Sequence, residues 1–279
     1  MSKITASPPH IALLPSAGMG HLTPFLRLAS MLSSRSCTVT LITASPSVSA
    51  AESSHISFFL SQHPQVKHIE FQVLPSKPTT DDPFFLQFEA TNRSVHLLYP
   101  SLASASPPLS AIFSDFAVAP SIAPVAADLG IPNYIISTTS CKFFCLLAYL
   151  PVLLSDPLSF SSSLSEVSIP GITPLPLPSI PPPFKNPNHL FTSLTAANAQ
   201  ALSKAKGILM NIFDDFEPET LAAINSGRIG KKIVELMEDE KLRGLARKVG
   251  ENAGKAIGIG GKSEKVLTEV LEYLEQKKN

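Results

Sequence analysis

The sequence contains no tryptophan and only three cysteines in 279 residues, and it carries no net charge at neutral pH. A net charge of zero argues against nucleic acid as the main partner, because such binding depends on clustered basic residues. Cys37, Cys141 and Cys145 have neither the spacing of a metal site nor the even number that disulfide pairing requires. We therefore expect buried, reduced thiols and a cytoplasmic location.

Long apolar runs are also lacking. Residues 11–14, the first apolar run, are fewer than the roughly 7–15 residues of a secretory signal core. The most apolar segment, residues 134–154, is interrupted by Lys142 and contains Pro151, whereas a membrane span needs about 20 predominantly apolar residues. We expect a buried strand and a buried helix in this segment, no secretory signal and no stable membrane span.

Apolar residues make up 44% of the chain and charged residues 16%, which is enough to bury a sizeable core. Short apolar runs alternate with helical patterns, which predicts an α/β fold with a Rossmann-like parallel sheet and helices on both faces. The predicted strands cover residues 11–14, 37–43, 66–74, 109–115, 133–136 and 207–212. The first predicted helix begins at His21, and further helices are predicted near residues 47–62, 84–102, 117–129 and 188–205. A stiff, proline-rich connector covers 155–187.

The composition changes near Gly227. All 26 prolines lie in residues 1–228, whereas residues 229–279 hold 20 of the 44 charged residues. Apolar side chains recur at helical spacing in this tail, which predicts amphipathic helices over roughly 230–256 and 263–277. We therefore expect two units: a sheet domain over 1–228 and a helical segment over 229–279 that packs back on it.

The turn after the first predicted strand carries two glycines and a histidine. Gly18 and Gly20 allow the backbone to approach a ligand, and His21 stands at the carboxyl edge where open α/β sheets bind ligands. A dinucleotide fingerprint would need a third glycine at Thr23 and an acid about 20 residues further on, and both are absent. A nicotinamide-dependent oxidoreductase is thus an alternative that two mismatches disfavour.

His21 and Asp115 both follow the carboxyl ends of predicted strands. If the first and fourth strands are neighbours, Asp115 would accept the Nδ1 proton of His21 and leave Nε2 to deprotonate a hydroxyl. Two structural alternatives stay open. His21 could be an ordinary helix-start residue, and Asp115 could cap the following helix.

Aromatic residues near the start of the third predicted helix are candidates for a ligand wall. Phe84, Phe85 and Phe88 are typical of a core, but an aromatic patch beside a loop could hold a planar substrate. His96 and His189 have no partners at a diagnostic spacing, and we interpret both as structural. No metal-ligand spacing is present in the sequence, so we expect no metal site.

Hydroxyl residues occupy the end of the fifth predicted strand. Ser137, Thr138 and Thr139 lie between this strand and the next helix, a place that favours hydroxyl and amide donors.

Several motifs together resemble the plant family-1 UDP-sugar glycosyltransferases. Pro-Ser-Ala-Gly-Met-Gly-His-Leu-Thr-Pro at 15–24 looks like the N-terminal motif of that family. Ser-Asp-Phe at 114–116, Ser-Thr-Thr-Ser at 137–140, Tyr-Leu-Pro at 149–151, Gly-Ile-Leu-Met-Asn at 207–211 and Phe-Glu-Pro at 216–218 follow in the family's order. The proline-rich stretch at 169–191 is most similar to the branch that C-glycosylates flavonoids. The resemblance covers residues 8–228.

The resemblance implies the acceptor-binding, N-terminal half of a GT-B fold that uses UDP-glucose as co-substrate and holds no tightly bound cofactor. It implies that His21 is the base and Asp115 its partner in an inverting transfer to a small phenolic acceptor. The residues implied to face the donor are Gly18, Ser137, Thr138 and Thr139, and those implied to contact the acceptor are Gly20, Phe84, Phe85, Phe88 and Arg93.

The chain departs from the family in its second half. The family's donor-binding signature begins with tryptophan, and this chain has none. Residues 227–230 join the acceptor unit directly to the C-terminal helices, so we expect nearly the whole donor domain to be missing, through deliberate deletion or unusual splicing. A separate donor domain would then be a partner. The alternative interpretation is a non-catalytic small-molecule-binding or scaffold domain.

Overall fold

The computed structural model describes residues 8–75, 83–155, 158–161, 163–212 and 215–225. These residues form a parallel sheet covered by helices, which confirms the predicted α/β fold. The helices predicted over 230–256 and 263–277, and with them the predicted second unit, lie outside the described residues.

Six strands form the sheet in the order β3-β2-β1-β4-β5-β8, and every neighbouring pair is parallel. Their bounds are β1 His10–Leu14, β2 Thr38–Ser45, β3 Lys67–Gln72, β4 Ala111–Asp115, β5 Asn133–Ser137 and β8 Gly207–Met210. Two further strands, β6 Glu166–Val167 and β7 Leu175–Pro176, pair as an antiparallel hairpin inside the proline-rich connector. The sequence did not predict this hairpin, because two-residue strands are too short to show a period.

The helices are α1 Met19–Ser33, α2 Ala50–Gln62, α3 Pro83–Ser94, α4 Tyr99–Ala103, α5 Ala119–Asp128, α6 Cys141–Ser155, α7 Leu190–Ala201 and α8 Pro218–Asn225. The prediction of one continuous helix over 84–102 is wrong. A 3-10 turn, Val95–Leu98, separates α3 from α4. Pro100 lacks the N–H that would continue the hydrogen-bond ladder, so the chain starts a new helix there.

The central strands are buried on both faces. Ile11 and Leu13 of β1 belong to a hydrophobic cluster with residues of α1 and α2, and Ala12 and Leu14 belong to a cluster with residues of α5. A strand covered on both sides reads as a continuous apolar run, which is why β1 could be recognised from four residues.

The most apolar segment forms β5 and the buried helix α6, as predicted. Within the described parts of the chain, no helix combines the length and apolarity that a membrane crossing requires.

The strand order places β1 beside β4 at the point where the chain changes direction across the sheet. Leu14 at the end of β1 pairs in register with Ser114 of β4. In open α/β sheets, ligands bind in the crevice at the carboxyl ends of such strands. The fold therefore brings the turn before His21 and the end of β4 to one edge.

Candidate active site

His21 and Asp115 meet at the carboxyl edge between β1 and β4. Nδ1 of His21 lies 2.8 Å from Oδ2 of Asp115. An ionised carboxylate can only accept a hydrogen bond, so Nδ1 donates its proton, and in the neutral ring Nε2 is the acceptor nitrogen. The predicted contact between the two side chains is present, and the role of His21 as a base stays a prediction.

The second oxygen of Asp115 fixes the carboxylate in place. Oδ1 accepts a hydrogen bond of 2.8 Å from the backbone N–H of Ala117, at the start of a 3-10 turn, Phe116–Val118. Asp115 thus caps the turn with one oxygen and holds His21 with the other. The two interpretations of Asp115, as a cap and as the partner of His21, are therefore compatible, because each uses a different oxygen. The residue is 1% exposed.

Two carboxylates increase the basicity of His21. Burial lowers the pKa of His21, but the charge and hydrogen bond of Asp115, together with the charge of Glu52, outweigh burial and raise this pKa above its ordinary value of 6.5. The imidazole is therefore a stronger base than a free histidine, while 29% of its side chain stays exposed.

The loop after β5 brings its hydroxyls to the same edge. Thr138 Oγ1 lies 3.4 Å from Nδ1 of His21. The Ser137 hydroxyl is 3.2 Å from that of Thr139, and Ser137 is 1% exposed, so its side chain points into the protein. Of the three predicted donor-facing hydroxyls, Thr138 lies beside His21, Thr139 is half-buried, and Ser137 supports Thr139 from inside.

Glu217 caps the helix that follows this loop. Its two carboxylate oxygens accept hydrogen bonds from the backbone N–H groups of Cys141, at 2.5 Å, and Lys142, at 3.1 Å. The sequence placed Glu217 only at the start of its own helix, because a contact over this separation leaves no local pattern. The first amides of α6 are thus already occupied by an anion.

The predicted glycines differ in what surrounds them. Gly18 is the N-cap of α1 with φ +97°, a conformation that favours glycine, and its N–H donates to Oε1 of Glu52 at 3.1 Å. Its carbonyl accepts from the amides of His21 and Leu22. Gly20 has open space where a side chain would begin. Gly20 can therefore border a ligand, whereas both backbone polar groups of Gly18 are engaged within the protein.

Asn92 ties α3 to the turn that carries Asp115. Its side-chain N–H₂ donates to the carbonyls of Ala117 at 2.8 Å and Phe88 at 3.1 Å. Its side-chain oxygen accepts from the Ser121 hydroxyl at 2.8 Å. Sequence reasoning missed Asn92, since a polar residue within a helical pattern suggests a solvated face.

The predicted acceptor wall is only partly assembled. Phe85 is half-buried, with its ring centre 5.3 Å from that of Phe191, whereas Phe88 is 4% exposed and belongs to the protein interior. Arg93 forms a surface ion pair of 2.9 Å with Glu89. The side chain of Phe84 lies outside the described residues.

Further aromatic residues extend the wall from Phe85. Phe191 stacks on Phe184 with ring centres 5.1 Å apart, and Phe143 lies 6.3 Å from Phe184. His189 accepts a hydrogen bond from the amide of Phe191 at 3.1 Å, which caps α7, and its ring centre lies 6.5 Å from that of Phe85. These residues come from the connector and from α6 and α7, so only the tertiary fold joins them into one aromatic cluster.

A small pocket lies beside the turn, between α2 and α3. Glu52 and Gln87 line it, together with Ser16 and Thr91. Within the described ranges, the buried hydroxyls of Ser16 and Thr91 have no hydrogen-bond partner. The same part of the chain holds no group of three or more His, Cys, Asp or Glu side chains placed to bind a metal ion.

No protein-family model matches the chain. Among known proteins, the chain is 49% identical over 226 residues to UDP-glycosyltransferase 708C1 of Fagopyrum esculentum, which covers 80% of this chain and 48% of that protein. It is 43% identical over 225 residues to UDP-glycosyltransferase CGT of Oryza sativa subsp. japonica, which covers 79% of this chain and 47% of that protein.

The fold agrees with that of a solved structure. The crystal structure of LpCGTa in complex with UDP superimposes with a TM-score of 0.70 at 43% sequence identity, over 79% of this chain and 51% of that one. Sequence and fold therefore agree with the resemblance drawn from the motifs. The chain is a homologue of the plant UDP-glycosyltransferases and spans about half the length of the relatives it matches.

Proposed function

We propose that this chain is the acceptor-binding part of a UDP-sugar-dependent glycosyltransferase, with His21 as the base that deprotonates a phenolic acceptor and Asp115 as its partner. The observation that carries the proposal is the hydrogen bond of 2.8 Å between Nδ1 of His21 and the buried carboxylate of Asp115, at the ligand-binding edge of the sheet. Homology to UDP-glycosyltransferases selects glycosyl transfer among the reactions that such a pair could serve.

The chemistry follows from the orientation of the imidazole. Nε2 of His21 takes the proton of an acceptor hydroxyl, and the carboxylate of Asp115 stabilises the imidazolium that forms. The deprotonated acceptor attacks the anomeric carbon of the sugar from the face opposite to UDP. A new bond forms to the acceptor, the bond between the sugar and the UDP oxygen breaks, and UDP leaves with the electron pair, so the configuration inverts.

C-glycosylation of a flavonoid-type phenol is the finer form of this proposal. The Oryza sativa relative and LpCGTa carry the designation CGT, which we take to mean C-glycosyltransferase. A phenolate spreads its charge onto ring carbons, so a ring carbon can form the bond to the sugar and then lose its proton to restore the aromatic ring. The rings of Phe85 and Phe191 offer apolar surface to a planar acceptor.

The donor would bind mainly to a separate domain. In this proposal residues 1–228 form the acceptor unit, residues 229–279 pack back on it, and the hydroxyls of Thr138 and Thr139 face a UDP-sugar such as UDP-glucose. A cytoplasmic location belongs to the same proposal, because the three cysteines are buried and no disulfide joins them.

Separate titrations test whether this chain binds the acceptor and lacks the donor site. We expect a flavonoid phenol to bind the chain in calorimetry and UDP-glucose to show little heat, because most contacts to the donor would come from the other domain. Tight binding of UDP-glucose, or turnover by this chain alone, would show that the donor site is not missing.

Reconstitution tests the base. The chain is mixed with the separately produced donor domain of the Fagopyrum esculentum relative, a flavonoid phenol and UDP-glucose, and the glycoside is measured. We expect His21→Ala to lower the rate by about 10²–10⁴-fold, the usual contribution of a general base. His55→Ala, which removes an exposed histidine of α2, is the control and should leave the rate unchanged. A rate that does not depend on His21 would favour the non-catalytic interpretation.

A further inference from the structure

Helix α1 begins without the groups that usually complete a helix start. Its N-cap is Gly18, which has no side chain to cap the first amides, and its first turn contains no acidic residue. The first amides of a helix need acceptors, and the positive end of its dipole favours a nearby anion. His21 lies in this first turn, so whatever completes the helix start also places the imidazole.

Glu52 of α2 supplies the missing anion from the neighbouring turn. The side chain is 6% exposed, and Oε1 accepts from the N–H of Gly18 at 3.1 Å. Oε2 accepts from the N–H of Val48 at 2.9 Å, and the backbone N–H of Glu52 donates to Ser49 Oγ at 3.2 Å. One buried carboxylate therefore joins the turn after β1 to the turn after β2.

The link continues from Glu52 to His21 through one residue. The N–H of Gly18 is held by the carboxylate, and the carbonyl of Gly18 accepts from the backbone N–H of His21 at 3.0 Å. Since Gly18 has φ +97°, both bonds hold a backbone conformation that few residues adopt. Loss of the carboxylate would free the residue that sets the direction of the first turn of α1.

The charge of Glu52 also acts on His21. Two carboxylates raise the pKa of His21, Asp115 from the end of β4 and Glu52 from α2, against the lowering by burial. Thr138, from the loop after β5, contributes a hydroxyl that does not titrate in this range. Within the described part of the chain, no lysine or arginine forms an ion pair with Glu52 that would neutralise its field.

We propose that Glu52 is a positioning residue for His21: its buried carboxylate holds the turn through the N–H of Gly18 and is, beside Asp115, a second carboxylate whose charge acts on the imidazole. The catalytic meaning of this role rests on the proposed function of His21 as a base. The hold on the turn before His21 rests on the contacts of the buried carboxylate with Gly18 and Val48.

The titration of His21 tests the field. His21 is followed by NMR through its ring Cε1–H signal in the wild type and in Glu52→Gln, which keeps the shape and an accepting oxygen but removes the charge. We expect the pKa of His21 to be lower in Glu52→Gln than in the wild type. We also expect a lower melting temperature, because glutamine has one accepting oxygen and leaves either Gly18 or Val48 without an acceptor for its N–H. An unchanged pKa of His21 in a folded Glu52→Gln variant would overturn the proposal.

Glu70→Gln is the matched control. Glu70 is an exposed carboxylate on β3 whose charge acts on His68. This variant should move the titration of His68 and leave that of His21 in place. An equal shift of His21 in both variants would show a general effect of net charge and reject a specific role for Glu52.

Hydrogen exchange keeps the test decisive if Glu52→Gln does not fold. In the wild type, the amide of Gly18 should exchange slowly, because its N–H is bonded to a buried carboxylate. Exchange at the rate of an exposed loop amide would contradict the positioning role.

Reconstituted turnover separates this proposal from the proposed function. If Glu52→Gln weakens the base, the acid limb of the pH profile of kcat/KM should move to lower pH, because His21 is then neutral at lower pH. A lowered pKa of His21 together with turnover that is insensitive to His21→Ala would reject the base and leave the positioning role intact. Turnover that depends on His21, together with an unchanged pKa of His21 in Glu52→Gln, would support the base and reject the positioning role.

Discussion

Replacing Asp115 with asparagine should weaken the link between β4 and α1 by an amount that depends on pH. Asparagine keeps the shape of the side chain and an oxygen for the N–H of Ala117, but it loses the charge that faces His21. A hydrogen bond to a charged group contributes about 1.5–3 kcal/mol, and an exposed ion pair about 0.2–1 kcal/mol. Asp115 is 1% exposed and His21 29%, so we expect a coupling of ~1–2 kcal/mol between these limits.

A double-mutant cycle with His21→Ala and Asp115→Asn measures this coupling by urea unfolding. The pKa of His21 in the folded state lies above 6.5, so the contribution of the charged pair is complete below pH 6.5 and is lost as pH rises through the folded-state pKa. The coupling should therefore be larger at about pH 5.5 than at about pH 9.

The surface pair of Arg93 and Glu89 is the control for this cycle. Its nitrogen–oxygen distance of 2.9 Å is close to that of the site pair, but the arginine is 43% exposed. We expect a coupling of about 0.3–0.5 kcal/mol with little change between the two pH values. A coupling near zero for His21 and Asp115 at about pH 5.5, or one that grows toward about pH 9, would refute the charged pair.

Three further outcomes follow from the structure. In an NMR titration, the pKa of His21 should lie above 6.5, and that of His68 below 6.5, because burial lowers the pKa of His68. The opposite order of the two pKa values would contradict both environments. Burial raises the pKa of the Cys145 thiol, so a thiol reagent should label Cys145 only on unfolding, and rapid labelling of the native protein would be inconsistent with this environment. Glu217→Ala should cost about 0.5–2 kcal/mol by removing the cap of α6, whereas the exposed Glu219→Ala should cost less in the same unfolding assay.

Much of the fold could be predicted because its signals are local. The continuous apolar run at residues 11–14 and the small-residue segment before Gly130 can each be recognised from one stretch of chain by itself. The prediction failed where a single residue broke a long pattern, as at Pro100, and where strands were too short to show one, as in the hairpin of β6 and β7.

The candidate site was predictable only in part. His21 and Asp115 could be selected because both follow buried strands, and the carboxyl ends of parallel strands lie at one edge. Glu52 and Glu217 could not be selected, because each caps a helix other than its own. Phe191 joined the aromatic cluster only through the packing of α7 near α3.

By itself, the sequence determined the order and kind of the main elements, the histidine at the first turn and the carboxylate at the end of β4, since each depends on neighbouring residues. Only the tertiary structure decided which of these groups meet. His21 and Asp115 are 94 residues apart, Gly18 and Glu52 34, and Cys141 and Glu217 76, so the strand order and the packing of helices bring each pair together. The basicity of His21 is a property of that arrangement, because burial and the two carboxylates act on it through space.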